Sequence, residues 1–201
     1  MRHIATILLS LIVGGVFIFS GFVKSVDPVG TSIFVEKYLA TYSLEALIPL
    51  ALIIAVALGA VELMLGIMLV VGAYRSRASF GATLFLVIFT IITLLSATIL
   101  PIGDCGCFGD AIVLTNWQTF WKNVVLVVLA IVLVALRKNT YQLWSSWMEL
   151  VLAVMTIVAA VVFMSWTSNH LPIMDFRPYK IGNHLPTLME YPEDAEPDVY
   201  E

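Results

Sequence analysis

From its first residues onward, the chain is a succession of long apolar runs separated by short polar segments. Residues 4–23 carry no charge, residues 46–74 carry one, Glu62, and residues 78–103 carry none. A fourth run, residues 123–136, is short alone, but Phe120, Trp121 and a snorkelling Lys122 extend it toward an interface. A fifth begins after Glu149 and continues to Trp166. A hydrocarbon core of about 30 Å needs roughly 20 apolar residues at 1.5 Å each, so the pattern predicts five spans. Backbone groups cannot stay unpaired in lipid, and the alternation of barrel strands is missing, so the spans are expected to be helices.

The tryptophans mark the same boundaries. Trp117, Trp121, Trp144, Trp147 and Trp166 all fall at predicted span ends, in the headgroup layer where an indole keeps its ring in grease and its N–H in water. Composition agrees: hydrophobic types make up 61% of the 201 residues and charged types 12%, against about one quarter charged in a soluble domain. The expected fold class is therefore an all-α membrane protein. The net charge of −4 comes without a basic cluster, which argues against a nucleic-acid partner. The first run follows Arg2 and has small residues at Ser20 and Gly21, as a cleavable signal peptide would. It is longer than a typical h-region and lacks an A-x-A site, so it is read as the first span.

Orientation rests on the basic residues. Arg2, Arg75, Arg77, Arg137 and Lys138 share one face, and Lys24, Lys37, Lys122, Arg177 and Lys180 the other, so the raw count is a tie. The first set lies in very short connections at span ends, the pattern that orients helices during insertion, whereas Arg177 and Lys180 lie beyond the last span. The N-terminus is accordingly expected in the cytoplasm. The segment 101–118 and the tail are then expected outside the cytoplasmic (inner) membrane, in the periplasm.

Candidate chemistry is sparse. The two cysteines of the chain stand one residue apart in Gly103-Asp104-Cys105-Gly106-Cys107-Phe108-Gly109-Asp110. Structural thiols in a bundle sit in apolar faces, where burial leaves them inert, whereas these lie in a glycine-rich polar turn. A disulfide is permitted in an oxidising compartment, and closing so small a ring demands unusual backbone angles, for which Gly106 is the best residue. A strained, exposed bond belongs with labile or catalytic disulfides, so thiol–disulfide exchange outweighs a structural bridge. A metal site is weaker still, because His3, His170 and His184 are scattered and read as surface or interface positions. Asp104 and Asp110 oppose thiolate formation unless Lys24, Lys122 or a helix N-terminus compensates.

Glu62 lies about 15 residues into its span, or about 22 Å, deep in hydrocarbon. It is expected to face the interior, protonated or bonded to a partner, either as a proton or ligand site or as a clamp between two helices. Gly59 and Gly66 flank it at helical spacing and let another helix approach. Lys24, followed by Asp27 and Pro28, reads first as a snorkelling anchor before a helix stop, and second as a partner for Asp104 or Asp110.

Phe19-Ser20-Gly21-Phe22-Val23-Lys24, Asp27-Pro28, Glu62 with Gly66, and Cys105-Gly106-Cys107-Phe108-Gly109 before Asn116-Trp117 together resemble the DoxX-like membrane proteins. The resemblance is to the branch of the methylamine-utilisation protein MauE, and it covers residues 1–138. It implies a four-helix membrane bundle as the shared core, with residues 139–169 supplying an additional span and residues 170–201 a tail, partly disordered where acids and prolines dominate. It also implies assistance with disulfide formation or maturation of a periplasmic enzyme, and a link to quinone, since other DoxX relatives are subunits of quinone-linked oxidoreductases. Asp175-Phe176-Arg177-Pro178-Tyr179-Lys180-Ile181-Gly182 resembles the junction at which longer proteins of this type enter a thioredoxin-like domain. Either a separate thioredoxin-like or other thiol protein plays that part, or the chain is a piece of a longer one.

Two functions follow as expectations. One is a thiol–disulfide relay in which Cys105 and Cys107 exchange with a periplasmic thiol protein and the bundle connects them to a quinone. The other is a non-enzymatic scaffold or assembly subunit that uses the cysteines as a clasp. A small-solute transporter is less favoured, because no inverted repeat or broken pair of helices is visible. Oligomeric state is not legible.

Overall fold

Helix α1 (Arg2–Val26) takes up the whole first apolar run and turns its small and polar residues inward. Thr6, Ser10, Ser20 and Lys24 are buried on one face, while Ile4, Ile7, Leu8, Leu11 and Ile12 stand outward. This is the pattern of a helix bathed in lipid, where packing and polar contacts rather than apolar burial hold neighbours together. The computed structural model describes residues 2–99, 112, 114–136 and 144–170. Over these, α1 is followed by α2 (Pro28–Thr41), a 3₁₀ turn (Glu45–Leu50), α3 (Ala51–Val71), α4 (Arg75–Thr98), α5 (Asn116–Leu136) and α6 (Ser146–Ser168). Five of these helices, α1 and α3 to α6, are long and apolar enough to cross a membrane. The protein is thus an all-α, multi-pass membrane protein.

Helix α2 is the element that the apolar pattern does not announce. Asp27 and Pro28 follow the end of α1 at Val26, the helix stop expected there, but the chain does not leave helical structure for long. They restart it, because the Asp27 carboxylate accepts the Gly30 N–H at 2.8 Å as an N-cap and Pro28 occupies the first turn, where its missing N–H costs nothing. At 14 residues the helix is about 21 Å long, too short to span, and it packs against α3. The fourth span also differs from its apolar run: α5 begins at Asn116, so its first two turns are the polar and aromatic residues ahead of residue 123.

Helices α1 and α3 run antiparallel in the closest contact of the bundle. A Cβ added to Gly14 would meet the Gly66 carbonyl at 2.9 Å, and one added to Gly21 would meet the Gly59 carbonyl at 2.9 Å. Only hydrogen at Gly14, Gly21 and Gly66 lets the backbones approach so far. Beside this seam, Val13, Phe17, Leu65, Met68, Leu69, Leu86, Leu126 and Leu133 form an apolar core shared by α1, α3, α4 and α5.

At the end of the bundle where α3 turns into α4, Gly72 closes α3 in the left-handed region at φ 76°, and Tyr74 follows at φ 43°. The N–H of Tyr74 donates to Glu149 Oε1 at 2.9 Å. The sequence boundary places Glu149 just ahead of the fifth span. Helix α6 instead begins at Ser146, capped by the Ser145 side chain, and carries Glu149 inside at 3% exposure. Glu149→Ala removes a buried acceptor from a backbone donor and is expected to cost about 1–3 kcal/mol in denaturant unfolding in micelles.

Candidate functional site

Lys24 sits two residues before the end of α1 and is 4% exposed. A Cβ on an α-helix tilts toward the helix N-terminus, so the lysine stem at this end of a span is carried back into the bundle. Its Nζ donates to Ser20 Oγ, one turn earlier, at 2.8 Å and to Glu62 Oε2 at 2.9 Å. The snorkelling position expected for Lys24 is therefore replaced by a buried ion pair between α1 and α3. Glu62 is 3% exposed and lies between Gly59 and Gly66, so the glycine seam is what brings carboxylate and ammonium within reach. Both charges are out of water and each neutralises the other, the condition under which a membrane interior tolerates them.

Several helix ends meet around Lys24. The Thr167 hydroxyl of α6 donates to the Ser25 carbonyl at 2.9 Å, and the Asn116 side chain at the start of α5 donates to the Ser96 carbonyl near the end of α4 at 3.3 Å. Between α2, α3 and α4 at this end lies a cavity of about 360 Å³ whose wall includes Lys24, Thr31, Tyr38, Tyr42, Phe89 and Leu95. Its lining is mostly carbon, and the rings of Tyr38 and Tyr42 stack nearly parallel, 6.4 Å apart. The volume falls within the roughly 300–1,000 Å³ of small-molecule pockets.

Cys105, Cys107, Asp104 and Asp110 lie outside the described residues, in the segment that joins α4 to α5. The structure brings Lys24 and Glu62 together, and Lys122 borders the small inner cavity that Glu62 also lines. Sequence reasoning missed Ser20, Asn123, Tyr38 of α2 and Tyr42 directly after it. The signal for Asn123 was present, since Thr119, Asn123, Leu126, Ala130 and Leu133 repeat at helical spacing and are the buried face of α5. His170 stacks on Trp166 at the exposed end of α6.

Residues 1–136 match the family model described as methylamine utilisation protein MauE. The matched segment ends where α5 ends, leaving α6 beyond it. No curated protein and no solved structure matches the chain.

Proposed function

Since the chain belongs to the MauE family of methylamine-utilisation membrane proteins, we propose that it is the membrane component of thiol–disulfide exchange, or of disulfide-dependent maturation, in the cell envelope. The observation that carries this reading is the placing of Cys105 and Cys107, one residue apart, in the connection between α4 and α5. The two ends of that connection are joined by the bond from Asn116 to the Ser96 carbonyl, next to Leu95, which lines the large cavity together with Lys24. Cys105 is seven residues beyond Thr98, which limits its distance from the end of α4 to about 25 Å. The reading includes membership of the wider DoxX-like group and an N-terminus in the cytoplasm, with the cysteines on the periplasmic side of the inner membrane.

In the exchange, a thiolate of a periplasmic thioredoxin-like or other thiol protein attacks one sulfur of the Cys105–Cys107 disulfide and forms a mixed disulfide, releasing the other sulfur as a thiol. The partner's second thiol then displaces the remaining sulfur, so the partner leaves oxidised and both cysteines are left reduced. A quinone-class molecule bound in the large cavity would supply the matching chemistry, taking up two electrons and two protons. The cavity suits such a group: carbon surrounds it, Phe89 and the Tyr38–Tyr42 pair offer flat faces, and Lys24 and Thr31 offer polar contacts.

The test is the Cys105→Ser, Cys107→Ser double variant in native membranes. It is expected to insert and fold as the parent does while losing dithiol-dependent turnover by roughly the two to four orders of magnitude that follow loss of a nucleophile. Turnover equal to the parent's would sink the relay. Loss of folding in the double variant would make the cysteines a structural clasp.

A further inference from the structure

Inside the bundle, beside the large cavity and sharing Phe89 with it, a second, half-open space of about 40 Å³ lies between α1, α3, α4 and α5. Its polar wall is Ser20, Glu62, Lys122 and Asn123, and the rest is apolar, including Phe17 and Leu126. Two groups facing it are not matched by protein. Asn123 is 3% exposed, and among the described residues its Nδ2 has no hydrogen-bond partner. Glu62 gives Oε2 to Lys24, and among the described residues no hydrogen bond reaches its Oε1.

A buried donor without an acceptor costs on the order of 1–3 kcal/mol. Lipid offers no remedy at this depth. The space is large enough for one, since a water needs only about 10–15 Å³ of such volume and two or more polar partners. It also has the right polarity: an amide donor and a carboxylate acceptor share one cavity, so a water can accept from Asn123 and donate to Glu62.

We propose that this cavity is a water site, holding about three waters by roughly that volume per molecule, and that these waters bridge Asn123 to the second oxygen of Glu62. The bridge makes Glu62 a proton-exchange group in the middle of the membrane rather than an inert clamp. The charged groups facing it are Lys24 from α1 and Lys122 from α5, while α4 presents Phe85 and Phe89. Lys122 stands six residues into α5 from Asn116, so the polar groups continue from the cavity toward the end of the bundle where the cysteine segment is attached. The inference does not depend on the thiol chemistry, because it rests on the cavity and its two unmatched groups.

X-ray radiolysis of the full chain in lipid nanodiscs tests it, because hydroxyl radicals formed from a trapped water label the side chains beside it. Phe17 and Leu126, both nearly fully buried, are expected to be labelled in the parent. The same labelling is expected to fall by on the order of tenfold in Asn123→Leu, which fills the space and removes the donor. Circular dichroism establishes that the variant is folded, and Asn123→Val, which keeps the branched shape, takes its place should Leu overfill the site. In parallel, the infrared band of the Glu62 carboxylate, assigned with Glu62→Gln, is expected to respond to D₂O in the parent and on the order of tenfold more slowly in the Asn123 variant. Absence of labelling at Phe17 and Leu126 in the parent, or labelling and exchange unchanged when Asn123 is replaced, overturns the proposal. Neither readout uses thiol turnover, so loss of the cysteine relay leaves the result intact.

Discussion

Replacing Glu62 by Leu is expected to lower the unfolding free energy of the protein in micelles by about 3–5 kcal/mol, because it leaves the Lys24 ammonium buried with no counter-charge. Lys24→Met is expected to cost a similar amount from the other side, since it strands the carboxylate. The double variant Lys24→Met, Glu62→Leu is expected to recover most of the loss. A buried ion pair gives back in desolvation much of what it gains in attraction, so an apolar pair of similar volume is often as stable. The cycle therefore shows a strong coupling only if the two side chains hold each other as described, with Nζ 2.9 Å from Oε2. Denaturant unfolding of the four proteins supplies the coupling. A double variant no more stable than the worse single one would mean that the pair is not the unit of stability. The same four proteins sort function from scaffolding: if the double variant folds like the parent and turnover is lost, the charges serve chemistry, and if turnover persists they are glue between α1 and α3.

This pair also shows what a sequence yields in a membrane protein. The existence of five spans was legible because lipid imposes one condition, a run of about 20 apolar residues, and the runs meet it once the short fourth one is extended by Phe120, Trp121 and Lys122. The interior position of Glu62 was legible for the same reason, since an acidic residue at that depth has nowhere else to go. The partner was not. Lys24 stands at a span end where a long cation ordinarily reaches outward, and the factor that turns it inward is the direction of the helical Cβ, which residue counting omits. Helix α2 escaped notice because its mixed surface has no long apolar run, although Asp27-Pro28 is a cap followed by a first-turn proline. Glu149 was taken as the polar edge of a span, yet it lies within the first turn of α6, holding the N–H of Tyr74 on a neighbouring turn. In each case the local pattern was readable and the long-range contact was not, because polar side chains in a bundle are paired by helix register rather than by spacing along the chain.

That register is set by the glycine seam, and Gly66→Leu is expected to break it. A Cβ at position 66 would stand 2.7 Å from the Ile18 nitrogen and 2.8 Å from the Gly14 carbonyl oxygen. Both obstacles are backbone, so no rotamer change relieves them and α1 must move away from α3. The displacement forfeits contacts along the seam and pulls Lys24 from Glu62, so the expected loss is about 3 kcal/mol or more, the cost of overpacking together with that of a parted ion pair. Gly15→Leu is the matched control. It lies one residue along α1 from Gly14 on the exposed side, where an added Cβ meets nothing within 4 Å. There the new side chain faces lipid, and replacing glycine inside a helix is expected to be neutral or to stabilise by up to about 1 kcal/mol. Denaturant midpoints for the two variants measured side by side give the comparison. Equal stability of Gly66→Leu and Gly15→Leu would mean that α1 and α3 are not in backbone contact, and the ion pair that depends on this contact would lose its structural basis.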